Sequence, residues 1–247
     1  MIKPFLTKTK WVFIDLDNTL WDFDGNAQEA LKILYTKHRL DHLCLCTVND
    51  FLGLYKSINA SLWRRYEAGE LDKETLRTTR FSDTFTAMGI SIVQQPKNIW
   101  QEYLDICPLM PRLMPFALEA LAKLKKKYKI AILTNGFETT QRIKLGHSGI
   151  GHFIDFMITS EGVGFAKPQT EFFALALSKA QCSAAEAVYL GDTWHTDVLG
   201  GMGAGIISYW YSNHTIGIQS ESPPMNDIMD MNLYGGSVSD LRLFSSL

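Results

Sequence analysis

Asp15 and Asp17, in the run Asp15-Leu16-Asp17-Asn18-Thr19, are the side chains whose types and spacing most demand chemistry. Two carboxylates this close repel each other unless a cation or a shared proton relieves them. The pair therefore calls for a metal, an acid/base role, or both. Directly before it stands Trp11-Val12-Phe13-Ile14, a short apolar run read as a strand buried on both faces. Strand alternation points Asp15 and Asp17 to one side, with Leu16 opposed. The carboxyl edge of an open α/β sheet is where ligands bind.

Three further strand ends carry polar residues of a complementary kind. Thr134-Asn135-Gly136 follows Ile130-Ala131-Ile132-Leu133 and opens a helix. A hydroxyl, an amide and free N–H groups there suit an anion, although a plain cap with a turn glycine has the same composition. Lys167-Pro168 precedes a helix starting near Gln169, with Pro168 suited to its first position and Glu171 to its first turn. Lys167 opposes the positive end of that helix, a conflict that a bound anion would resolve; an extended, solvated lysine is the alternative. The run Gly162-Val163-Gly164-Phe165-Ala166-Lys167 is no nucleotide loop, since Pro168 stands where Ser or Thr would bind magnesium. Gly191-Asp192-Thr193-Trp194-His195-Thr196-Asp197 brings two more aspartates behind Val188-Tyr189-Leu190, of which Asp197 also suits a helix cap.

Elements that could position these groups are legible along the chain. Strands at 11–14, 130–133, 156–159, 188–190 and 206–210 alternate with helices, which predicts α/β architecture with a doubly wound parallel sheet. Residues 24–108 carry helical periodicity and no convincing buried strand, so an all-helical domain is predicted between two parts of the core, 1–23 and 109–247. Residues 219–236 read as an irregular surface segment, with a short terminal helix near Ser239. Lys125-Lys126-Lys127 is assigned to the polar face of a helix.

The 247 residues are 46% hydrophobic and 20% charged, with a net charge of -2. That balance gives no footprint for a nucleic acid polymer, and no apolar stretch approaches the roughly 20 residues that span a bilayer. Cys44, Cys46, Cys107 and Cys182 show no zinc spacing and fit a reducing compartment. Without an apolar leader after Met1-Ile2-Lys3-Pro4, a cytoplasmic location is expected.

Taken together, DxDxT, the Thr-Asn-Gly strand end, Lys-Pro and GDxxxxD resemble, in order and spacing, the magnesium-dependent phosphatase branch of the haloacid dehalogenase (HAD) superfamily. The resemblance covers nearly the whole chain and implies a Rossmann-like core with a helical cap, acting on a small phosphorylated metabolite. It implies Asp15 as nucleophile and Asp17 as general acid and base. Mg2+ would be held by Asp15, the backbone carbonyl of Asp17, and Asp192. Thr134, Asn135, Gly136 and Lys167 would bind the phosphoryl group, with Thr19 and Asp197 in supporting positions. The dehalogenases lack an aspartate two residues after the nucleophile, so Asp17 disfavours dehalogenation.

A finer resemblance, to bacterial pyrimidine 5'-nucleotidases, rests on Leu62-Trp63 with Tyr66, Gly69 and Leu71, on Thr134-Asn135-Gly136-Phe137, and on Ser160 through Pro168. It implies nucleoside 5'-monophosphate substrates. Alternatives are a sugar-phosphate phosphatase of the acylneuraminate 9-phosphate kind, a phosphoglucomutase, or a binding module without activity. Candidate substrate contacts are Phe23, Trp63, Arg64, Arg65, Tyr66 and Phe81, although aromatics at helical spacing also suit the helical domain's own core.

Overall fold

The computed structural model describes residues 2–43, 46–212 and 230–247. They form two compact units, one of residues 1–23 and 111–247, the other of residues 24–110. In the first unit, β1 (Trp11–Ile14) lies at the centre of a six-stranded sheet. β2 (Lys129–Thr134), β3 (Phe156–Thr159), β4 (Ala187–Gly191), β5 (Ile207–Tyr211) and β6 (Tyr234–Val238) complete the order β3-β2-β1-β4-β5-β6, every pair parallel. The structure thus has the doubly wound parallel sheet that the alternation of strands and helices predicts.

All four residues of β1 are buried, as are Ile130 to Thr134 of β2 and the whole of β4. Burial on both faces requires helices on both faces. Between the strands run α6 (Ala117–Leu124), α7 (Glu138–His147), α8 (Ser160–Val163), α9 (Thr170–Ala180) and α10 (Gly200–Gly203), and α11 (Leu241–Phe244) follows the last strand. Phe172, Phe173 and Ala176 of α9 pack with Trp11, Phe13, Leu133 and Tyr189 in one core cluster.

Two expectations for this unit need correction. Five strands were readable, but β6 begins within the stretch 219–236 read as irregular, Tyr234 to Gly236 falling inside it; residues 219–229 lie outside the described residues. Gly235 and Gly236 supply no side chains, so the alternation that marks a strand vanishes there. Lys125 to Lys127 follow the end of α6 rather than lying on it, and Lys125 pairs with Asp155 at 2.5 Å.

The helical unit contains α2 (Leu40–Leu43), α3 (Val48–Glu67), α4 (Lys73–Ala87) and α5 (Ile99–Ile106), with most of α1 (Phe23–Lys37). α3 starts on a Thr47–Asp50 capping box and α4 on Asp72, whose carboxylate accepts from the Thr75 N–H. Their facing sides interlock through aromatics: Phe51 stacks on Phe85, and Tyr55 meets Phe81 and Tyr103 at 5.0 and 5.7 Å. Cys44 lies outside the described residues, among which Cys46, Cys107 and Cys182 form no disulfide. Among the described residues no helix is long and apolar enough to cross a membrane.

Candidate active site

β1 delivers Asp15 to the sheet edge because its ladder with β4 runs one residue past the strand, the Asp15 N–H donating to Leu190 O at 2.9 Å. Asp15 is buried, and so is Lys167, whose Nζ lies 2.7 Å from Asp15 Oδ1, 2.6 Å from Asp197 Oδ1 and 3.0 Å from the Tyr189 hydroxyl. The Tyr189 hydroxyl donates in turn to Asp197 Oδ1 at 2.7 Å, and Asp197 Oδ2 accepts the Thr193 N–H at 3.0 Å. Lys167 therefore resolves its conflict with the helix that follows through two carboxylates, where a bound anion was expected. Asp197 is no helix cap; it sits in the π-helical turn Trp194–Leu199, which follows β4.

Burial pushes the Asp15 carboxyl up to about 7 against the pull of the Lys167 ammonium, and the charges of Asp197 and Asp17 add to the rise. Burial also works against the charge on Lys167, but Asp15 and Asp197 outweigh it and hold the ammonium well above the usual lysine range. Burial, then the charges of Asp15 and Asp197, pushes the Asp192 carboxyl well above its ordinary value.

Asp15, Asp192 and Asp197 each offer a carboxylate oxygen within 4.8 Å of the others. One ammonium serves these three carboxylates, so two negative charges are left over when all are ionised. A divalent cation with a preference for oxygen ligands fits that deficit, and magnesium is such a cation. The carboxylates of Asp15 and Asp192 would hold it, since Asp197 has both its oxygens engaged elsewhere. The Asp192 region is braced by Thr19 Oγ1, 3.4 Å from Asp192 Oδ1, and by the Trp210 indole N–H donating to Asp192 O at 2.8 Å.

The second strand end is wired differently from a helix cap. Thr134 Oγ1 accepts the Gly136 N–H at 3.0 Å and the Gln141 amide at 2.7 Å, which leaves its own hydrogen to donate. Asn135 ties this end to the next: its Oδ1 accepts the Lys167 N–H at 2.9 Å and its Nδ2 donates to Lys167 O at 3.1 Å. A Cβ on Gly136 would lie 2.1 Å from Gln141 Nε2, so a larger residue here would displace the Gln141 side chain.

Asp17 is not a member of the cluster of three carboxylates. Its Oδ1 accepts from Lys144 Nζ at 2.6 Å and its Oδ2 from Gln141 Nε2 at 2.8 Å. Gln141 and Lys144, both buried on α7, escape a motif reading, as does Tyr189. The signal available for the first two was a helix carrying Gln141, Lys144 and Leu145 at core spacing.

The candidate contacts of the helical unit divide. Phe81 is buried among Tyr55, Phe85 and Tyr103, so it belongs to that unit's core. Trp63 and Tyr66 are half-buried and meet edge to face at 5.6 Å, while Arg64 and Arg65 are exposed. Phe23 lies in the first unit, beside Trp21 at 6.3 Å.

Residues 9–205 match a family model described as haloacid dehalogenase-like hydrolase. The chain is similar to the pyrimidine 5'-nucleotidase YjjG of Escherichia coli, with 29% identity over 84% of this chain and 88% of that protein. It is similar also to N-acylneuraminate-9-phosphatase of Rattus norvegicus, with 25% identity over 91% and 90% of the two chains. Among solved structures, the magnesium-bound HAD-hydrolase YfnB of Bacillus subtilis superposes with a TM-score of 0.80 at 25% identity, covering 96% of this chain and 97% of that one.

Proposed function

We propose, since the chain belongs to the haloacid dehalogenase-like hydrolase family, that it is a magnesium-dependent phosphomonoesterase acting on nucleoside 5'-monophosphates, pyrimidine ones by preference. The observation that carries this reading is the buried Asp15 carboxyl held 2.7 Å from the Lys167 ammonium at the end of the central strand. Magnesium, held by Asp15 and Asp192 with the Asp17 backbone carbonyl, would supply charge stabilisation for the phosphoryl oxygens.

In the first step an Asp15 oxygen bonds to phosphorus as the bond to the leaving oxygen breaks, and Asp17 gives that oxygen its proton. In the second step Asp17 takes a proton from water while the water oxygen bonds to phosphorus. The bond between phosphorus and Asp15 then breaks, and both aspartates return to their starting states. The Thr134 hydroxyl donates to a phosphoryl oxygen, and Asn135 with Gly136 shapes that strand end. Lys167 offsets the charge on Asp15, and exchange of its bond to Tyr189 would free an N–H for phosphate. The resemblance assigns selection of the leaving group to the helical unit, and Trp63, Tyr66 and Phe23 are the candidate contacts.

The similarity to the nucleotidase of Escherichia coli, with the motifs around residues 62–71 and 134–137, supports the nucleotide preference. The rat N-acylneuraminate-9-phosphatase favours a second reading, a sugar-phosphate phosphatase. Phosphate release from UMP, dTMP and a set of sugar phosphates separates the two. Pyrimidine monophosphates are expected to give the highest kcat/KM; a tenfold advantage for any sugar phosphate overturns the nucleotide reading. Asp15→Asn is expected to abolish turnover, and undiminished turnover removes Asp15 as nucleophile.

A further inference from the structure

Two polar residues of α7 occupy positions where a helix packed on a sheet ordinarily carries apolar side chains. Gln141 is fully buried, and Lys144 is 4% exposed. Their three-residue spacing places them on one face of the helix. Burying an ammonium is costly unless good partners compensate for its lost hydration. The Lys144 ammonium has its partners: Asp17 Oδ1 at 2.6 Å, the Trp21 ring centroid at 4.4 Å and the Phe23 ring centroid at 5.4 Å. Gln141 directs its amide N–H groups to Asp17 Oδ2 and Thr134 Oγ1, while its own Oε1 is buried with no hydrogen-bond partner. An unpaired buried acceptor is destabilising, because it has lost its hydrogen bonds to water and gained none. A leucine or methionine would fill either position without these costs.

Both residues converge on one carboxylate. We propose that Gln141 and Lys144 are positioning residues that clamp the Asp17 carboxyl in the orientation from which it exchanges protons with the leaving group and with water. The clamp complements the loop after β1, which fixes the Asp17 backbone. There Asn18 adopts a φ of 59° and its N–H donates to Trp21 O at 2.7 Å. The backbone alone leaves the carboxyl free to turn about two side-chain torsions, and an adjacent cation would draw it inward. Two donors from a rigid helix, one on each oxygen, remove that freedom. This inference rests on the reading of Asp17 as proton carrier.

The test uses leaving groups that differ in their need for a proton. The sugar alkoxide of UMP cannot depart without one, whereas the p-nitrophenolate of p-nitrophenyl phosphate can. In the magnesium-loaded protein, Lys144→Met and Gln141→Leu are each expected to lower kcat/KM for UMP by about 10–100-fold. The loss on p-nitrophenyl phosphate should be at least ten times smaller, and Lys144→Arg should restore most of the activity on UMP. Equal fractional losses on both substrates, or no loss on either, overturn the clamp. If Lys144→Met fails to fold, Gln141→Leu decides by the same ratio, since it removes no charge. A wild-type protein that cleaves neither ester overturns the phosphatase reading itself; one that cleaves both, with uniform losses in the variants, overturns only the clamp.

Discussion

Three N–H groups exhaust the donors of an ammonium, and Asp15, Asp197 and Tyr189 take all three from Lys167. The two carboxylates and the tyrosine differ in what they lose if that ammonium is removed. Lys167→Met leaves Asp15 and Asp197 buried without their cation, at a cost of about 3–5 kcal/mol. Tyr189→Phe removes one neutral hydroxyl from the same network, at a cost of about 1 kcal/mol. Urea unfolding of the two variants without magnesium is expected to rank them in that order. Equal midpoints would show that the lysine does not carry the network. Asp15 and Asp192 were readable because their motifs are short and directly follow buried strands, and Lys167 because of the Lys-Pro pair. Tyr189 was not, because a tyrosine inside an apolar strand reads as core until its hydroxyl is seen to face a carboxylate.

Gly191 shows how an element sets a side chain in place. The extra residue of the π-helical turn Trp194–Leu199 carries the chain back over the end of β4, so that Asp197 reaches both Tyr189 and the Thr193 N–H. That return path passes so near β4 that a Cβ on Gly191 would lie 2.4 Å from Asp197 Cγ. Gly191→Ala is therefore expected to destabilise the fold by about 1–3 kcal/mol and to lower phosphate release by displacing Asp197 from Lys167. An unchanged urea midpoint would show that the turn yields without cost. Strands β1 to β5 were legible from their apolar runs, and α7 from its length and position. What α7 presents inward was not legible, since Gln141 and Lys144 break the apolar face that identifies the buried side of a helix. β6 escaped for the opposite reason, having too little side chain to show a pattern.

At the scale of the whole molecule, the cost of the site should appear in its stability as a function of pH. The Asp15 carboxyl lies at about 7 in the folded chain, against an ordinary 3.8, because burial outweighs its pairing with Lys167. Asp192 is shifted in the same direction by burial and by Asp15. A carboxyl raised on folding binds its proton more tightly in the native state than in the unfolded one. Between the two values the native chain holds more protons, so stability falls as pH rises from about 4 to about 7. The metal-free protein is thus expected to melt at a lower temperature at pH 7.5 than at pH 5.5. A divalent cation that binds only the folded, ionised site reverses this loss by mass action. Magnesium should therefore raise the melting temperature more at pH 7.5, where Asp15 and Asp192 give up their protons to receive it. Thermal melts at the two pH values, with magnesium and with a chelator, measure both effects in one experiment. A magnesium response that is the same at both values would show that proton release from these two aspartates is not coupled to the cation.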